Sequence, residues 1–333
     1  MNLPKLQDIS VGGKRVILRA DLDMDVTVPD QEFRLKALVP TLKYLTENKA
    51  NIIIIGHKGR PNGVKVESLS LTGFAPVLGK LIGKEIVFEG PGEIVLKENL
   101  RFDPGEEKND PEFTKKIASW GDIFVNEAFA SSHRAHSSIV GLPKLLPHAP
   151  GLRFSEEIKI LNGLLEKPLR PLIFVIGGAK KDKVEFIGPL GEIADKVLVG
   201  GRLPDYLGDE SLVSVRVRGE EEKIIIGNLV MDKEDITIHS MERFEQEIAK
   251  AKTIVLAGPM GKFEEEGHRQ GTKRVIEAIV KTPAYKVVGG GDTIAALSRL
   301  GFQNKFDGIS VGGGAMLEFL AKKTLPGIEA LSH

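Results

Sequence analysis

The 333-residue chain is long enough for two domains of about 150 residues, and its 41% hydrophobic and 28% charged residues are typical of a folded globular protein. Its 46 lysines and arginines balance its 46 aspartates and glutamates, and zero net charge argues against a general nucleic-acid or membrane-surface binder. Because the chain has no cysteine, disulfides and thiolate metal sites are excluded. No apolar run suits a signal peptide or a spanning helix, and we therefore expect a cytoplasmic protein.

Short β-branched runs alternate with longer amphipathic stretches along the chain. Several runs, such as 52–55 and 172–176, are apolar on successive residues, which is typical of parallel strands covered on both faces. The expected strands are 15–19, 51–56, 85–88, 94–96, 123–125, 172–176, 197–199, 253–256, 285–288 and 308–311. This alternation predicts an α/β protein with two doubly wound, Rossmann-like parallel-sheet lobes joined by a connecting helix.

Two stripes of apolar side chains, spaced three and four residues apart, predict helices. The first contains Leu35, Leu38, Val39, Leu42 and Leu45, and the second contains Phe154, Ile158, Leu161 and Leu165. Pro40 is expected near the start of the first helix, where proline is best tolerated. The second helix, at 152–167, has prolines on both sides and predicts a semi-rigid connector. We therefore expect lobes at 1–150 and 171–315, with the connecting helix and hinge at 151–170.

The two halves differ in the residues that follow their strands. In the first half these are mostly charged or imidazole-bearing, at 19–21, 56–60, 98–101 and 126–127. In the second half they are rich in glycine, at 177–178, 200–201, 258–261, 289–292 and 312–314. Open α/β sheets bind ligands at the carboxyl ends of their strands. The sequence therefore predicts a cationic site in the first half and a glycine-lined site in the second.

The glycine-lined half is typical of phosphate or nucleotide binding, because glycine turns and helix N-termini let backbone N–H groups approach phosphate oxygens. No G-x-G-x-x-G occurs, and Gly308 and Gly313, at Walker spacing, are followed by glycine rather than lysine, which disfavours a P-loop NTPase. The segment 178–183 adds ammonium groups, or else is a solvated lysine-rich loop. Asp292 is a candidate ligand of Mg²⁺ beside phosphates, or a cap for the helix expected near Thr293.

The cationic half carries five basic side chains at loop or strand-end positions, and they are Arg34, His57, Arg60, Arg101 and Arg134. Arginine supplies bidentate geometry for carboxylate and phosphate, so five such positions indicate a site for a small polyanion. His133 and His136 add two imidazoles. Asp21 and Asp23 fit this site if they orient arginines or accept hydroxyl protons.

Several of these segments, in order, resemble the phosphoglycerate kinase family over essentially the full chain. They are VILRAD at 16–21, GHKGRP at 56–61, ENLRF at 98–102, PGEEKNDP at 104–111, HRAH at 133–136, GGAK at 177–180, GPMG at 258–261, GGGD at 289–292, GGGA at 312–315 and LPG at 325–327. The resemblance implies a hinge-bending, monomeric glycolytic kinase without nucleic-acid or membrane partners. Its first lobe, joined by the tail 316–333, would bind 3-phosphoglycerate or 1,3-bisphosphoglycerate, and its second would bind Mg-ADP or Mg-ATP.

The resemblance also implies residue roles. The substrate would be held by Asp21, Asp23, Arg34, His57, Arg60, Arg101 and Arg134. The nucleotide would be held by Gly177, Gly178, Lys180, Lys183, Gly200, Gly201, Pro259, Glu264, Gly289, Gly290, Gly291, Asp292, Thr293, Gly312 and Gly313, with Asp292 binding Mg²⁺. Charge on the transferring phosphoryl group would be stabilised by Arg34 and Lys183 and by amides at Gly290 and Gly313. Transfer would be direct and in line, with no protein nucleophile.

Departures from the family pattern fall mostly on the nucleotide side. The lysine loop is one residue shorter, so Lys181 competes with Lys183 for the catalytic role. Ala257 stands where the family has asparagine, and the segment from 202 to 256 is too short for adenine-pocket residues to be assigned. In the first half, Asp23 replaces an asparagine and Glu127 an aspartate. The alternative function is a catalytically weak relative that senses or scaffolds a nucleotide or phosphometabolite, and the five cations favour the kinase.

Overall fold

A computed structural model describes residues 3–26, 32–208 and 222–332 of the chain. The chain forms two compact units. The first unit comprises Met1–Lys159 and Thr324–His333, and the second unit comprises Ile160–Lys323. Each is built on a parallel sheet whose strands alternate with helices, so the predicted α/β class with two Rossmann-like lobes is confirmed.

The first unit has a six-stranded parallel sheet. Its strands are β1 (Arg15–Arg19), β2 (Asn51–Ile55), β3 (Val87–Phe88), β4 (Ile94–Leu96), β5 (Ile123–Asn126) and β6 (His148–Pro150), in the spatial order β3-β4-β2-β1-β5-β6. Its helices are α1 (Glu32–Glu47), α2 (Phe74–Ile82), α3 (Pro104–Lys108), α4 (Pro111–Ala118) and, near the end of the chain, α12 (Pro326–Ala330). The register places Arg19, the last residue of β1, between Ile55 and Asn126. The central strands thus end together at one edge.

The second unit repeats this plan. Its strands are β7 (Leu172–Ile176), β8 (Lys196–Val199), β9 (Ile224–Ile226), β10 (Thr253–Ala257), β11 (Tyr285–Gly289) and β12 (Gly308–Ser310), in the order β12-β11-β10-β7-β8-β9. Its helices are α6 (Val184–Ile193), α7 (Leu203–Leu207), α8 (Ile238–Ile248), α9 (Gln270–Lys281), α10 (Gly291–Arg299) and α11 (Gly313–Lys322). All five residues of β7 and of β10 are buried, as their apolar runs predict.

Hydrophobic burial holds each sheet to its helices. In the first unit, Leu38 and Leu42 of α1 and Phe74 of α2 belong to one buried cluster with Val16 and Ile54 of the sheet. A fully buried side chain of this size contributes about 1.5–3 kcal/mol. Such a cluster fixes the strands, and with them the positions at which the strands end.

The helix α5 (Leu152–Glu166) begins in the first unit and ends in the second. Its start is held by Glu127, a buried carboxyl group whose Oε1 accepts the N–H of Phe154 at 2.7 Å and whose Oε2 accepts the hydroxyl of Thr41 at 2.5 Å. Burial raises the pKa of Glu127 to about 8. This side chain therefore ties the first turn of α5 to the first unit.

Two details of the predicted helices were wrong. Pro40 lies in the middle of α1 rather than near its start, because the helix already begins at Glu32, and the residue is exposed. In α5 the buried stripe ends on Leu164 rather than Leu165, because the helical repeat carries Leu165 toward the surface.

All ten predicted strands are present, with ends that differ by at most two residues. The edge strands β6 and β9 were not predicted. Pro150 argues against a strand from sequence alone, but among the described strands β6 pairs with β5 alone, and proline is tolerated at an edge. Within the described ranges, no helix has the length and apolar character needed to cross a membrane.

Candidate active site

Basic residues of the first unit lie at the carboxyl ends of four neighbouring strands. Arg19 ends β1, His57 follows β2, Arg101 follows β4 and Arg134 follows β5. Because the sheet order puts these strands side by side, their side chains gather at one edge. The pKa of His57 is lowered well below its usual value, first by burial and then by the charges of Arg19, Arg101, His136 and Arg134.

Arg19 was not among the predicted site residues. Its side chain is fully buried and uses all three guanidinium nitrogens. Nε donates to Ser138 Oγ at 2.7 Å, Nη1 to the carbonyl of Ala20 at 2.5 Å and Nη2 to His57 Nδ1 at 2.8 Å. Its only signal in the sequence is a charged residue at the end of an apolar strand.

His57 lies between Arg19 and Asp23. Its Nε2 is 3.7 Å from Oδ2 of Asp23, on the side of the ring opposite the Arg19 contact. Because burial and the neighbouring cations hold its pKa well below the usual value, this imidazole is neutral at pH 7. The expected cationic set thus contains one neutral hydrogen-bonding member.

Arg101 is buried and only partly paired. Nη1 donates to the carbonyl of Gly59 at 2.7 Å, and Nε lies 3.3 Å from a carboxylate oxygen of Glu107. Nη2 has no hydrogen-bond partner among the residues that the structure describes. A buried charged donor without a partner is costly, and an anionic ligand is the kind of group that would satisfy it.

Asp21, Asp23 and Arg34 form a connected group after β1. Arg34 Nη1 donates to the backbone carbonyl of Asp23 at 3.0 Å and lies 3.6 Å from Oδ2 of Asp21. Oδ1 of Asp23 accepts the N–H of Gly59 at 2.8 Å and so fixes the loop that carries His57. Burial raises the pKa of Asp21, an effect that the charge of Arg34 opposes. This arrangement fits the expectation that the aspartates orient arginines.

Arg60 and Arg134 lie at the outer side of this group. Arg60 is exposed and directly follows Gly59. Arg134 is half-buried, and its charge lowers the pKa values of Arg101 and His136. Burial, more than any single charge, lowers the pKa of His136 to about 3.

Glu106 is a second residue that was not predicted. Fully buried on α3, it accepts the N–H of Ser138 at 3.0 Å and the Ser138 hydroxyl at 2.5 Å. Burial raises its pKa, and the charge of Arg19 is the largest opposing effect. Glu106 is therefore a counter-charge to Arg19, reached through a shared serine. Sequence reasoning missed Glu106 because it is one of two adjacent glutamates, a pattern that is typical of a solvent-exposed turn.

In the second unit, Lys183 lies under the glycine turns. Its buried Nζ donates to the carbonyls of Gly177 at 2.8 Å and Ala257 at 3.1 Å. Burial lowers its pKa to about 8, and the charge of Asp292 acts in the opposite direction. Lys181, the competing candidate, is exposed. The structure thus brings Lys183, and not Lys181, to the carboxyl ends of β7 and β10.

The glycines around Lys183 allow close contact between backbones. A Cβ atom on Gly258 would lie 2.1 Å from the carbonyl oxygen of Gly177, and one on Gly201 would lie 2.3 Å from the nitrogen of Gly178. The amides of these turns are used within the unit, since Gly177 donates to Ala257 and Gly178 to Pro259. Gly177 and Gly178 were expected to meet nucleotide phosphates, and in the structure their amides bond within the unit, where the glycines let three loops pack together.

Two helix N-termini meet beside these turns. A Cβ atom on Gly313, the first residue of α11, would lie 2.7 Å from Cα of Gly290, which precedes α10. The first intrahelical bonds are donated by Ile294 and Met316, so the amides of residues 291–293 and 313–315 have no acceptor within their own helix. The amide of Gly290, which was expected to stabilise the transferring phosphoryl group, instead donates to the carbonyl of Ser310 at 3.2 Å. Neighbouring helix N-termini favour phosphate groups through their amides and dipoles.

Asp292 is exposed in the first turn of α10. Its charge acts against the lowering of the Lys183 pKa. Among the residues that the structure describes, no group of three or more histidine, aspartate or glutamate side chains could hold a metal alone. One carboxylate nevertheless fits Mg²⁺, which is commonly held by one or two carboxylates together with substrate phosphates and water.

The remaining predicted nucleotide-side residues differ in their positions. Lys180 is exposed next to the turn, and its charge helps to lower the pKa of Lys183. Thr293 is buried, with its hydroxyl donating to the carbonyl of Gly289 at 2.9 Å. Glu264 is exposed, and no described contact joins it to the glycine turns.

An α/β enzyme with guanidinium groups at one sheet edge, and with a buried lysine and paired helix N-termini at another, belongs to the phosphotransferase class. The chain matches the family model described as Phosphoglycerate kinase at residues 6–207 and 213–323. It is similar to the phosphoglycerate kinase of Coprothermobacter proteolyticus, with 36% identity over 390 residues and 99% of both chains covered.

The chain is also similar to solved structures of phosphoglycerate kinases. The phosphoglycerate kinase from Pyrococcus horikoshii OT3 matches with 29% identity and a TM-score of 0.84 over 98% of both chains. That from Coxiella burnetii matches with 28% identity and a TM-score of 0.81 over 99% of both chains. The chain belongs to the phosphoglycerate kinase family, which confirms the resemblance. Because the alignment of 390 residues exceeds the 333 of this chain, the Coprothermobacter relative carries segments that this chain lacks.

Proposed function

We propose that the chain catalyses the reversible, Mg²⁺-dependent transfer of a phosphoryl group between 1,3-bisphosphoglycerate and ADP, giving 3-phosphoglycerate and ATP in glycolysis and gluconeogenesis. Family membership supports the reaction. The observation that carries the proposal is the grouping of arginines and His57 at four adjacent strand ends of the first unit. A metabolite with carboxylate and phosphate groups matches these donors.

In the first unit, the proposed ligand is the phosphoglycerate. Arg101 supports this role through its Nη2, which has no partner within the described part of the chain, and His57 through its ring nitrogen on the Asp23 side. Arg60 and Arg134, at the outer side, are proposed to bind phosphate or carboxylate oxygens. Arg34 is proposed to stabilise charge on the phosphoryl group of the acyl phosphate as that group is transferred.

In the second unit, the proposed ligand is the nucleotide. The amides in the first turns of α10 and α11 are proposed to bind phosphate oxygens, and Lys183 to neutralise charge on the terminal phosphate. Asp292 would hold Mg²⁺, which neutralises phosphate charge when bound. Because no protein nucleophile is required, these residues act by positioning and electrostatics.

A cytoplasmic location and a monomeric state remain part of the proposal. The glycolytic substrates support the location. The monomeric state was expected from the family resemblance, and gel filtration with light scattering tests it directly.

The proposal is tested by a coupled assay with the purified chain. With ADP, Mg²⁺ and 1,3-bisphosphoglycerate, we expect ATP formation that stops when Mg²⁺ is chelated. Lys183→Ala serves as the control for a contaminating kinase, since contaminating activity would be unchanged in this variant. Nucleotide binding without Mg²⁺-dependent transfer in the wild-type protein would contradict the kinase and favour the sensor or scaffold.

A further inference from the structure

We propose that Arg19 and Glu106 are positioning residues that hold His57 as a neutral imidazole with its proton on Nε2, so that His57 serves an anionic ligand as a hydrogen-bond donor rather than as a charge. The identity of that ligand as 3-phosphoglycerate rests on the proposed function. The state of the His57 ring does not, because it follows from contacts within the first unit.

Arg19 contacts the ring of His57 directly. Nη2 of Arg19 lies 2.8 Å from Nδ1 of His57, and both side chains are buried. A guanidinium group has N–H donors and no acceptor, and it stays protonated in proteins. Nδ1 must therefore accept, and the single proton of the neutral ring is on Nε2.

The Nε2–H group of His57 points away from Arg19, toward Asp23. Nε2 of His57 lies 3.7 Å from Oδ2 of Asp23, which is longer than a hydrogen bond. The side chain of Asp23 is 47% exposed, so this side of the ring faces the open part of the site. No described residue accepts a hydrogen bond from this N–H, and an oxygen of a bound anion would supply that acceptor.

Ser138 and Glu106 hold Arg19 in place. Its Nε donates to Oγ of Ser138, and the same hydroxyl donates to Oε1 of Glu106. Glu106 also accepts the backbone N–H of Ser138, so the serine is fixed at two atoms. Burial lowers the pKa of Arg19, and the charge of Glu106 is the largest effect in the opposite direction. The order Glu106, Ser138, Arg19, His57 is thus a chain of directed hydrogen bonds.

The surroundings of His57 disfavour a positive charge on its ring. Charged or titratable groups face His57 from the surrounding elements: Arg19 from β1, Asp23 from the loop after β1, Arg101 from the loop after β4, and Arg134 and His136 from the loop after β5. Three of these are cations, and the ring is buried. Protonation of His57 would add a fourth cation, so we expect ligand affinity to show no histidine titration between about pH 6 and 8.

The ring state is tested by long-range ¹H–¹⁵N correlation spectra of the free, ¹⁵N-labelled protein at pH 7. We expect His57 to show the pattern of a neutral imidazole protonated on Nε2. An imidazolium pattern, or a proton on Nδ1, would overturn the proposal. This result does not depend on whether the chain proves to be a kinase.

Ligand binding is tested with two substitutions at His57, using calorimetry with 3-phosphoglycerate. The amide nitrogen of glutamine reaches the Nε2 position, whereas that of asparagine reaches the Nδ1 position. We expect His57→Asn to weaken binding on the order of 10- to 100-fold, the effect of one hydrogen bond to a charged group, and His57→Gln to weaken it much less. The reverse order would contradict the proposal. Absence of binding by the wild-type protein would contradict the proposed function instead.

The positioning role is tested with Glu106→Gln, which keeps the size of the side chain and removes its charge. We expect altered His57 ring signals together with at least about tenfold weaker 3-phosphoglycerate binding and unchanged Mg-ADP binding. Ser138→Ala interrupts the same chain of hydrogen bonds and replaces this variant if Glu106→Gln does not fold. The matched control is Glu112→Gln, an exposed glutamate on α4, which should change nothing. Unchanged ring signals in both Glu106→Gln and Ser138→Ala would overturn the positioning role.

Discussion

The two units use the same kind of sheet edge in different ways. In the first unit, the proposed ligand donors are side chains that come from four strand ends, and they are fixed by polar neighbours such as Asp23 and the buried Ser138. In the second unit, the proposed donors are backbone amides at two helix starts, together with one buried lysine. A side-chain donor can be removed by one substitution, whereas a backbone donor can only be displaced. The first site should therefore be sensitive to loss of charge, and the second to added volume.

The largest expected effect is in the second unit. Gly258→Ala should destabilise the protein by about 2–5 kcal/mol, because φ is +119° and the new Cβ would lie 2.1 Å from the Gly177 carbonyl oxygen. The matched control is Gly188→Ala in α6, where the new Cβ would meet no described atom within 4 Å beyond its own stretch of helix, and a gain of about 0.5–1 kcal/mol is expected. Urea unfolding measures both. Equal stability of the two variants would show that the backbones need no such close contact.

The next effect is in the first unit. Arg34→Ala should lower kcat on the order of 10²–10³, because it removes a preorganised charged donor at the transferring group. Arg101→Ala should instead act mainly by raising KM for 3-phosphoglycerate. Arg15→Ala is the control, since this arginine pairs with Asp122 at the opposite end of β1. Small and equal effects of the first two substitutions on kcat would remove the proposed division of roles.

A smaller effect distinguishes two lysines of the second unit. Lys183→Ala should reduce kcat at least about tenfold, because its buried ammonium group lies at the glycine turns. Lys181→Ala should change kcat little, because Lys181 is exposed. Steady-state kinetics with ADP as the varied substrate measures both. A larger loss in the Lys181 variant would reverse the assignment.

The comparison also shows what a single sequence can reveal. Apolar runs predicted the strands, and the residues after them predicted a basic edge and a glycine-rich edge. The partners of Arg19 and Glu106 could not be predicted, because they depend on which strands become neighbours in the sheet. The use of the Gly178 amide within the second unit was hidden for the same reason. Glycine in a turn is equally compatible with a phosphate and with a neighbouring backbone.

The smallest expected effect concerns pH in the first unit. Burial lowers the folded-state pKa of His136 to about 3, below the usual 6.5, so the unfolded state binds the proton more tightly. The stability that depends on His136 being neutral is fully present above about pH 6.5. It is lost as the pH falls toward 3, by about 1.4 kcal/mol per pH unit. His136→Gln should therefore lose less stability than wild type between pH 6.5 and 5.5. Identical pH profiles in urea unfolding would show that His136 is not held neutral.

The central claim is that the two units hold different ligands by different means. Isothermal titration of Arg101→Met and Lys183→Met with 3-phosphoglycerate and with Mg-ADP, each alone, tests this claim most directly. We expect Arg101→Met to weaken 3-phosphoglycerate binding at least about tenfold and to leave Mg-ADP binding unchanged, and Lys183→Met to show the opposite pattern. If either variant weakened both ligands equally, or if the pattern were exchanged, the assignment of the two sites would be contradicted.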